Sequence, residues 1–369
     1  MRTLVLACLT AALTPTAAVA ATAAHPALAL VERSTAAART NPEDSRRDAE
    51  AALALLGSRP DADLELRARL LLCEYHSERN RAAAEREATM ASALLPHVQR
   101  HGLRAGVLAC QGEILETAGD NARAEALYGE AVGAATAAHD DEMLAGALFQ
   151  RGFVLGLRGE YSAGLGDLRR AESLYEKMGM PQHSLTVLNG IATLFNRMGD
   201  YSEAREIYAR ALKAQSAAGM HREVAITAHN LGRAHERLGE WDAAKRAFEA
   251  TLTTSRELGY ARGEAYALRG LAAVANATGD PRGALRTLER ATELQHQTTD
   301  ARLRAQIQLA RGTALHRIGH LSDSAGVLED AQKIFRQADS LRGARRNQLR
   351  TGHGARRDGR LASRLRTSR

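Results

Sequence analysis

LNGIATLFNRMGDYSEAREIYARA, residues 188–211, decides the fold. Apolar residues recur at helical spacing on both sides of Gly199-Asp200. A glycine there supplies the left-handed residue that ends one helix, and the acidic residue after it caps the next and complements its positive end. The same glycine stands at Gly119, Gly159, Gly199, Gly239, Gly279 and Gly319, forty residues apart throughout. A fixed period between 20 and 50 residues is the mark of a solenoid built from one stacked unit. Around these glycines the chain reads TAGDNARAEALY, LRGEYSAGLGDL, RMGDYSEAREIY, RLGEWDAAKRAF, ATGDPRGALRTL and RIGHLSDSAGVL. Pro281 falls in a first helical turn, where proline is tolerated. Each period is thus helix, tight turn, helix, second turn.

Two weaker copies precede these six. Arg79-Asn80, with Tyr75 and Ala84, keeps the phase without glycine, and Thr40-Asn41-Pro42 followed by DSRRDAEAALALL fits one period earlier. Terminal repeats are atypical because one of their faces has no neighbour. The register predicts about eight helix pairs between residues 26 and 339, and no strand pattern lies among them.

The unit around Gly199 resembles the tetratricopeptide repeat (TPR). It has Leu188, Ile191, Ala192 and Phe195 on the first helix, the turn Gly199-Asp200-Tyr201, and Ala204, Tyr208 and Ala211 on the second. The next unit repeats this with Leu231-Gly232, Gly239-Glu240-Trp241, Ala244 and Phe248. Gly112, Ala124, Tyr128 and Ala131 keep the frame earlier in the chain, and Gly152, Gly312, Leu328 and Ala331 keep it in other units. The resemblance implies an all-α, right-handed TPR-type α-solenoid, with units lengthened beyond the usual repeat. The whole chain also resembles the exported TPR region that precedes a membrane helix and a GGDEF catalytic domain in some bacterial diguanylate cyclases. That resemblance implies, as an alternative, a truncated periplasmic sensor region; no GGDEF motif is present.

MRTLVLACLTAALTPTAAVA reads as a signal peptide over residues 1–20. Arg2 gives the positive start, Leu4 to Leu13 the apolar run and Ala18-Val19-Ala20 the small-residue cleavage site. Cys8 raises a lipoprotein alternative, which would leave a very short apolar run. No later run is long and apolar enough to span a bilayer, so a periplasmic or secreted protein is expected. Of the two remaining cysteines, Cys73 and Cys110, the offset of three residues from the repeat register favours two separate buried thiols over a disulfide.

The formal charge of +7 is misleading about partners. Residues 341–369 hold ten arginines against Asp358, so the mature chain before them carries −3. This tail contains no Lys and no Glu and reads as an Arg-rich, disordered terminus, or as the product of a frameshift or truncation, since a shifted frame can encode Gly-Asp-Trp at codons 359–361. No nucleic-acid partner is expected for the repeats.

Catalytic patterns are absent: no G-x-S-x-G, no phosphate loop, no H-E-x-x-H, no paired C-x-x-C. His97 and His101 lie at i, i+4, but Pro96 interrupts the helix and no third ligand is near. His316 and His320 straddle the Gly319 turn, and His139-Asp140-Asp141-Glu142 sits where a helix starts, as a cap would. No cofactor, metal or enzymatic activity is implied. In TPR proteins the first helix of each unit lines the concave face. Carrying the inward positions across gives Phe149 and Phe153, then Asn189, Thr193 and Asn196, then His229, Asn230, Arg233 and Glu236, then Tyr266, Arg269 and Asn276. Asn189, Thr193, Asn196, His229, Asn230, Arg233, Tyr266 and Arg269 are the candidate residues for a protein or peptide partner. The paired Lys and Asn of chaperone-binding TPRs are missing.

Overall fold

The computed structural model describes residues 25–38, 41–77, 79–295 and 300–336. The expected signal peptide, Thr40 and the arginine tail lie outside them. Among the described residues every regular element is helical. In sequence order they are α1 (Pro26–Ala37), α2 (Pro42–Leu56), α3 (Ala62–Ser77), α4 (Arg81–Leu94), α5 (Leu103–Thr117), α6 (Asn121–Ala137), α7 (Asp141–Arg158) and α8 (Tyr161–Lys177). They continue as α9 (Pro181–Met198), α10 (Tyr201–Ala217), α11 (His221–Leu238), α12 (Trp241–Glu257), α13 (Ala261–Ala277), α14 (Pro281–Gln295), α15 (Ala301–Arg317) and α16 (321–336). A single 3₁₀ turn, Leu95–His97, interrupts the pattern at Pro96, which separates His97 from His101 as the proline implied.

A helix ends within two residues of each of the six glycines. Gly199 adopts φ +91°, the left-handed conformation that terminates α9 and lets Asp200 accept from the Glu203 amide at the start of α10. Asp120, Asp140, Asp280 and Asp300 cap in the same way. Glu160 and Glu240 stand at the same point but make no capping bond, contrary to the capping expected of either acid. Their carboxylates are drawn instead to Arg158 and to Arg205 and His235 respectively.

The seam between first and second helices is apolar and tight. Ala124, Ala204, Ala244 and Ala284 are all fully buried at one repeat position, and Tyr128, Leu168, Tyr208, Phe248 and Leu288 are at most 1% exposed at another. Gly232 sits against Phe248 so closely that a Cβ there would come within 2.7 Å of the ring. Odd-numbered helices also stack on the next odd-numbered helix, from α1 through α15. The array therefore closes more tightly on that side, which is its inner, concave face.

A second expectation is overturned. Cys73 on α3 and Cys110 on α5 form a disulfide, with their Cα atoms 6.2 Å apart. Three residues out of register is nearly one helical turn, so both thiols keep the same face, and the axial offset of about 4.5 Å stays within disulfide reach.

Candidate functional site

The inner face is built from columns of residues forty apart. One runs Phe149, Asn189, His229, Arg269, Leu309 across α7, α9, α11, α13 and α15; one turn further along each helix the next begins Phe153, Thr193, Arg233. Helical spacing places both columns on the same helix face. Among their neighbours, Tyr266 and Gln306 share a column starting three residues earlier.

At the α7 end Phe149 and Phe153 stack, centroids 6.5 Å apart, and remain half-buried. On α9 and α11 the asparagines are tied together. The Asn189 amide donates to the Thr227 hydroxyl, and the Asn230 amide donates to Asn189 Oδ1 at 3.4 Å. The Thr193 hydroxyl donates to the Asn189 carbonyl at 2.9 Å and accepts from the Tyr208 hydroxyl at 2.9 Å. Asn196 stands apart from this network, and its buried Oδ1 has no partner.

His229 lies between two rings, 5.6 Å from Phe248 and 5.2 Å from Tyr266. Burial first, then the positive charges of Arg269 and Arg233, hold its pKa well below the usual imidazole value, and its Nδ1 has no hydrogen-bond partner. The Tyr266 hydroxyl donates to Asp300 at 2.8 Å, and Arg262 pairs with the same carboxylate at 2.9 Å. Burial, with Asp300 beside it, pushes the Tyr266 phenol up to about 12. Its ring is presented to the groove while its hydroxyl serves the start of α15.

Arg269 is 8% exposed. One of its terminal nitrogens approaches Glu236 at 3.4 Å, and its Nε has no partner. Arg233 has neither an ion pair nor a hydrogen bond among the described residues. Burial, then repulsion from Arg269, lowers its pKa, against a raising pull from Glu236 and with a further push from Arg302.

The eight candidate residues thus fall into three groups: the network of Asn189, Thr193 and Asn230; the ring contact of His229 and Tyr266; and the arginine pair, with Asn196 alone. Asn276, also assigned inward from the sequence, is instead walled between helices: its amide donates to the Ala310 carbonyl at 3.0 Å, and the residue is 4% exposed. Sequence reasoning passed over Thr227, Gln306, whose buried Oε1 has no partner, and Ile226 and Leu309, exposed at 38% and 47%. Counting forty from Tyr266 and from Arg269 would have found Gln306 and Leu309.

Residues 183–257 match the tetratricopeptide repeat family. They comprise most of α9 and all of α10, α11 and α12, which carry six of the eight candidate residues, Asn189 through Arg233. No curated protein matches the chain in sequence. Among solved structures, a Rap protein complexed with competence and sporulation factor superposes with a TM-score of 0.63 at 13% identity, covering 88% of this chain and 97% of its own. NprR in complex with its cognate peptide NprX gives 0.57 at 13% identity, covering 86% and 99%. A signal-transduction ATPase with a TPR sensor from Pyrococcus horikoshii gives 0.57 at 16% identity, over 86% of this chain and 48% of its own. At such identities the likeness is one of fold. No helix among the described residues is long and apolar enough to cross a membrane.

Proposed function

We propose that this protein is an exported, non-catalytic TPR module that binds a protein or peptide along its concave face, in the periplasm or outside the cell. The observation that carries this reading is the set of buried polar atoms left without partners on the inner face: Asn196 Oδ1, His229 Nδ1, Arg269 Nε and Gln306 Oε1. Each such atom costs about 1–3 kcal/mol if nothing completes it. An extended peptide offers alternating donors and acceptors along its backbone, which is the complement such a face lacks. The shared fold of NprR, solved in complex with its cognate peptide NprX, supports a peptide as the ligand class.

The test is a pull-down from periplasmic extract with three baits: the mature protein, Arg233→Ala/Arg269→Ala, and a form lacking residues 341–369. The mature protein and the tail deletion should retain the same protein or peptide, and the double variant should lose it. Loss with the tail deletion alone would assign the interaction to the arginines outside the solenoid and end the groove reading.

A further inference from the structure

Several cations of this array that lie between helices are matched by an acid. Arg100 pairs with Asp140 and Glu142, Arg151 with Asp167, Arg205 with Glu240, and Arg262 with Asp300. On the inner face of α11 and α13, Arg233 has no such acid within ion-pair distance among the described residues. Arg233 lies one turn beyond His229 on α11 and Arg269 occupies the His229 position on α13, so the two cations share the face and repel; Arg302 adds to the same field, and Glu236, 3.4 Å from Arg269, offsets it. Arg269 is 8% exposed with Nε buried and unpartnered, so that nitrogen is neither solvated nor paired. Such a pair is stabilised by one incoming anion that accepts from both forks.

Resting on the peptide-binding reading above, we propose that Arg233 and Arg269 form a carboxylate subsite, and that the ligand is an extended peptide presenting one carboxylate there and an apolar side chain at Phe149 and Phe153. The carboxylate is an acidic side group or the peptide's own terminal carboxylate, since both offer the same two oxygens. A single negative charge suits a pair already half-balanced by Glu236, and the −3 charge of the mature protein before its tail opposes a polyanion such as nucleic acid. The spacing follows from the columns. Phe153 and Arg233 occupy the same column two repeats apart. Neighbouring helices lie roughly 8–10 Å apart, so the two subsites are separated by about five or six residues of extended peptide.

Fluorescence anisotropy on the full mature protein tests this with labelled synthetic peptides of roughly twelve residues in a Gly-Ser-Asn background. The first carries Phe and Asp about five residues apart and ends in an amide. The second replaces Asp by Asn. The third has no Asp but ends in a free carboxylate at the same distance from Phe. The fourth replaces Phe by Ser in the first, and an oligothymidylate serves as the polyanion. The first or the third should bind at least about tenfold tighter than the second, as expected for a hydrogen-bonded charge, and which of them does so identifies the carboxylate's source. The fourth should bind more weakly than the first. In Arg233→Gln, which breaks no hydrogen bond or ion pair of the described residues, the preference for a carboxylate should fall to near parity while the melting temperature does not drop, since the change also relieves the repulsion from Arg269. Equal binding of the first three peptides overturns the subsite and leaves the groove reading standing, as does a preference that survives Arg233→Gln. Preference for the oligothymidylate overturns the assignment to a peptide. Failure of every peptide overturns both.

Discussion

The seam inside each repeat and the inner face of the array are written in the same forty-residue register, yet they vary differently from repeat to repeat. At the seam one position runs Ala124, Gly164, Ala204, Ala244, Ala284, Ser324, and every one of them is buried. On the inner face one position runs Phe149, Asn189, His229, Arg269, Leu309. Two helices in contact leave room for little beyond a methyl group, so close packing forces the first series to repeat. The second series lies off the seam within each helix pair and is released from that demand. What differs from repeat to repeat on a solenoid is therefore where its recognition chemistry can reside, while what stays constant holds the helices together.

The contrast is broken most forcefully at the point where the two surfaces meet. Phe248 is fully buried in the seam, packs on Gly232 and Gly270, and lies 5.6 Å from the His229 ring of the inner face. Phe248→Ala should cost about 3–5 kcal/mol, because the backbones around those glycines cannot close on the space. Denaturant unfolding followed by circular dichroism measures it. A variant that keeps its stability but loses ligand binding would mean that Phe248 belongs to the recognition surface and that the division drawn above is false.

The seam was legible from the sequence because packing enforces a period there. Gly199, Ala204 and Tyr208 announced the turn and the contact at once, and the helix ends followed within two residues. The inner face was legible only as a set of positions. That Arg233 and Arg269 lie close together depends on how α11 and α13 stack, and that Tyr266 spends its hydroxyl on Asp300 depends on where α15 begins. Neither fact has a local signal. The disulfide was missed for a related reason: the register was applied too strictly to Cys73 and Cys110, although a three-residue offset is nearly one helical turn and leaves both thiols on facing surfaces. A second glycine series, Gly179, Gly219 and Gly259, lies midway between the first and also takes positive φ. It was visible in the sequence and was passed over, because the six in-phase glycines already explained the period.

A medium effect sharpens the comparison from the inner side. In the folded protein His229 is kept neutral by burial and by Arg269 and Arg233, with Phe248 and Tyr266 as its ring neighbours. In the unfolded state it titrates near its ordinary value of 6.5. Below that pH the unfolded state binds a proton that the folded state refuses, so this contribution to stability is complete above about pH 6.5 and falls as the pH drops. One unit below the unfolded value, at pH 5.5, the loss attributable to His229 has an upper limit of about 1.4 kcal/mol. His229→Gln should remove that part of the difference in stability between pH 7.5 and pH 5.5. An identical pH dependence in the variant would show that the imidazole takes up its proton in the folded protein and that the inner face is wetter than its packing implies.

The smallest effect concerns a turn that belongs to neither surface. His139 has φ +53°, where the matching turns carry Gly179, Gly219 and Gly259 at φ +67°, +68° and +60°. A residue with a Cβ is strained there by roughly 1 kcal/mol, although His is among the side chains that tolerate it best. The His139 side chain is exposed, and Asp140 beside it holds the structural contacts, capping α7 and receiving both forks of Arg100 at 2.7 and 2.8 Å. His139→Gly should relieve the strain and give part of the gain back through the greater freedom of glycine in the unfolded state, for a net gain of about 0.5 kcal/mol. In a protein of this size that is a rise of about 1–2 °C in melting temperature. Peptide binding should not change, because the turn between α6 and α7 lies off the inner face. A drop in melting temperature would mean that the imidazole makes a contact worth more than its backbone strain, and that this turn is held by its side chain where its counterparts are held by glycine.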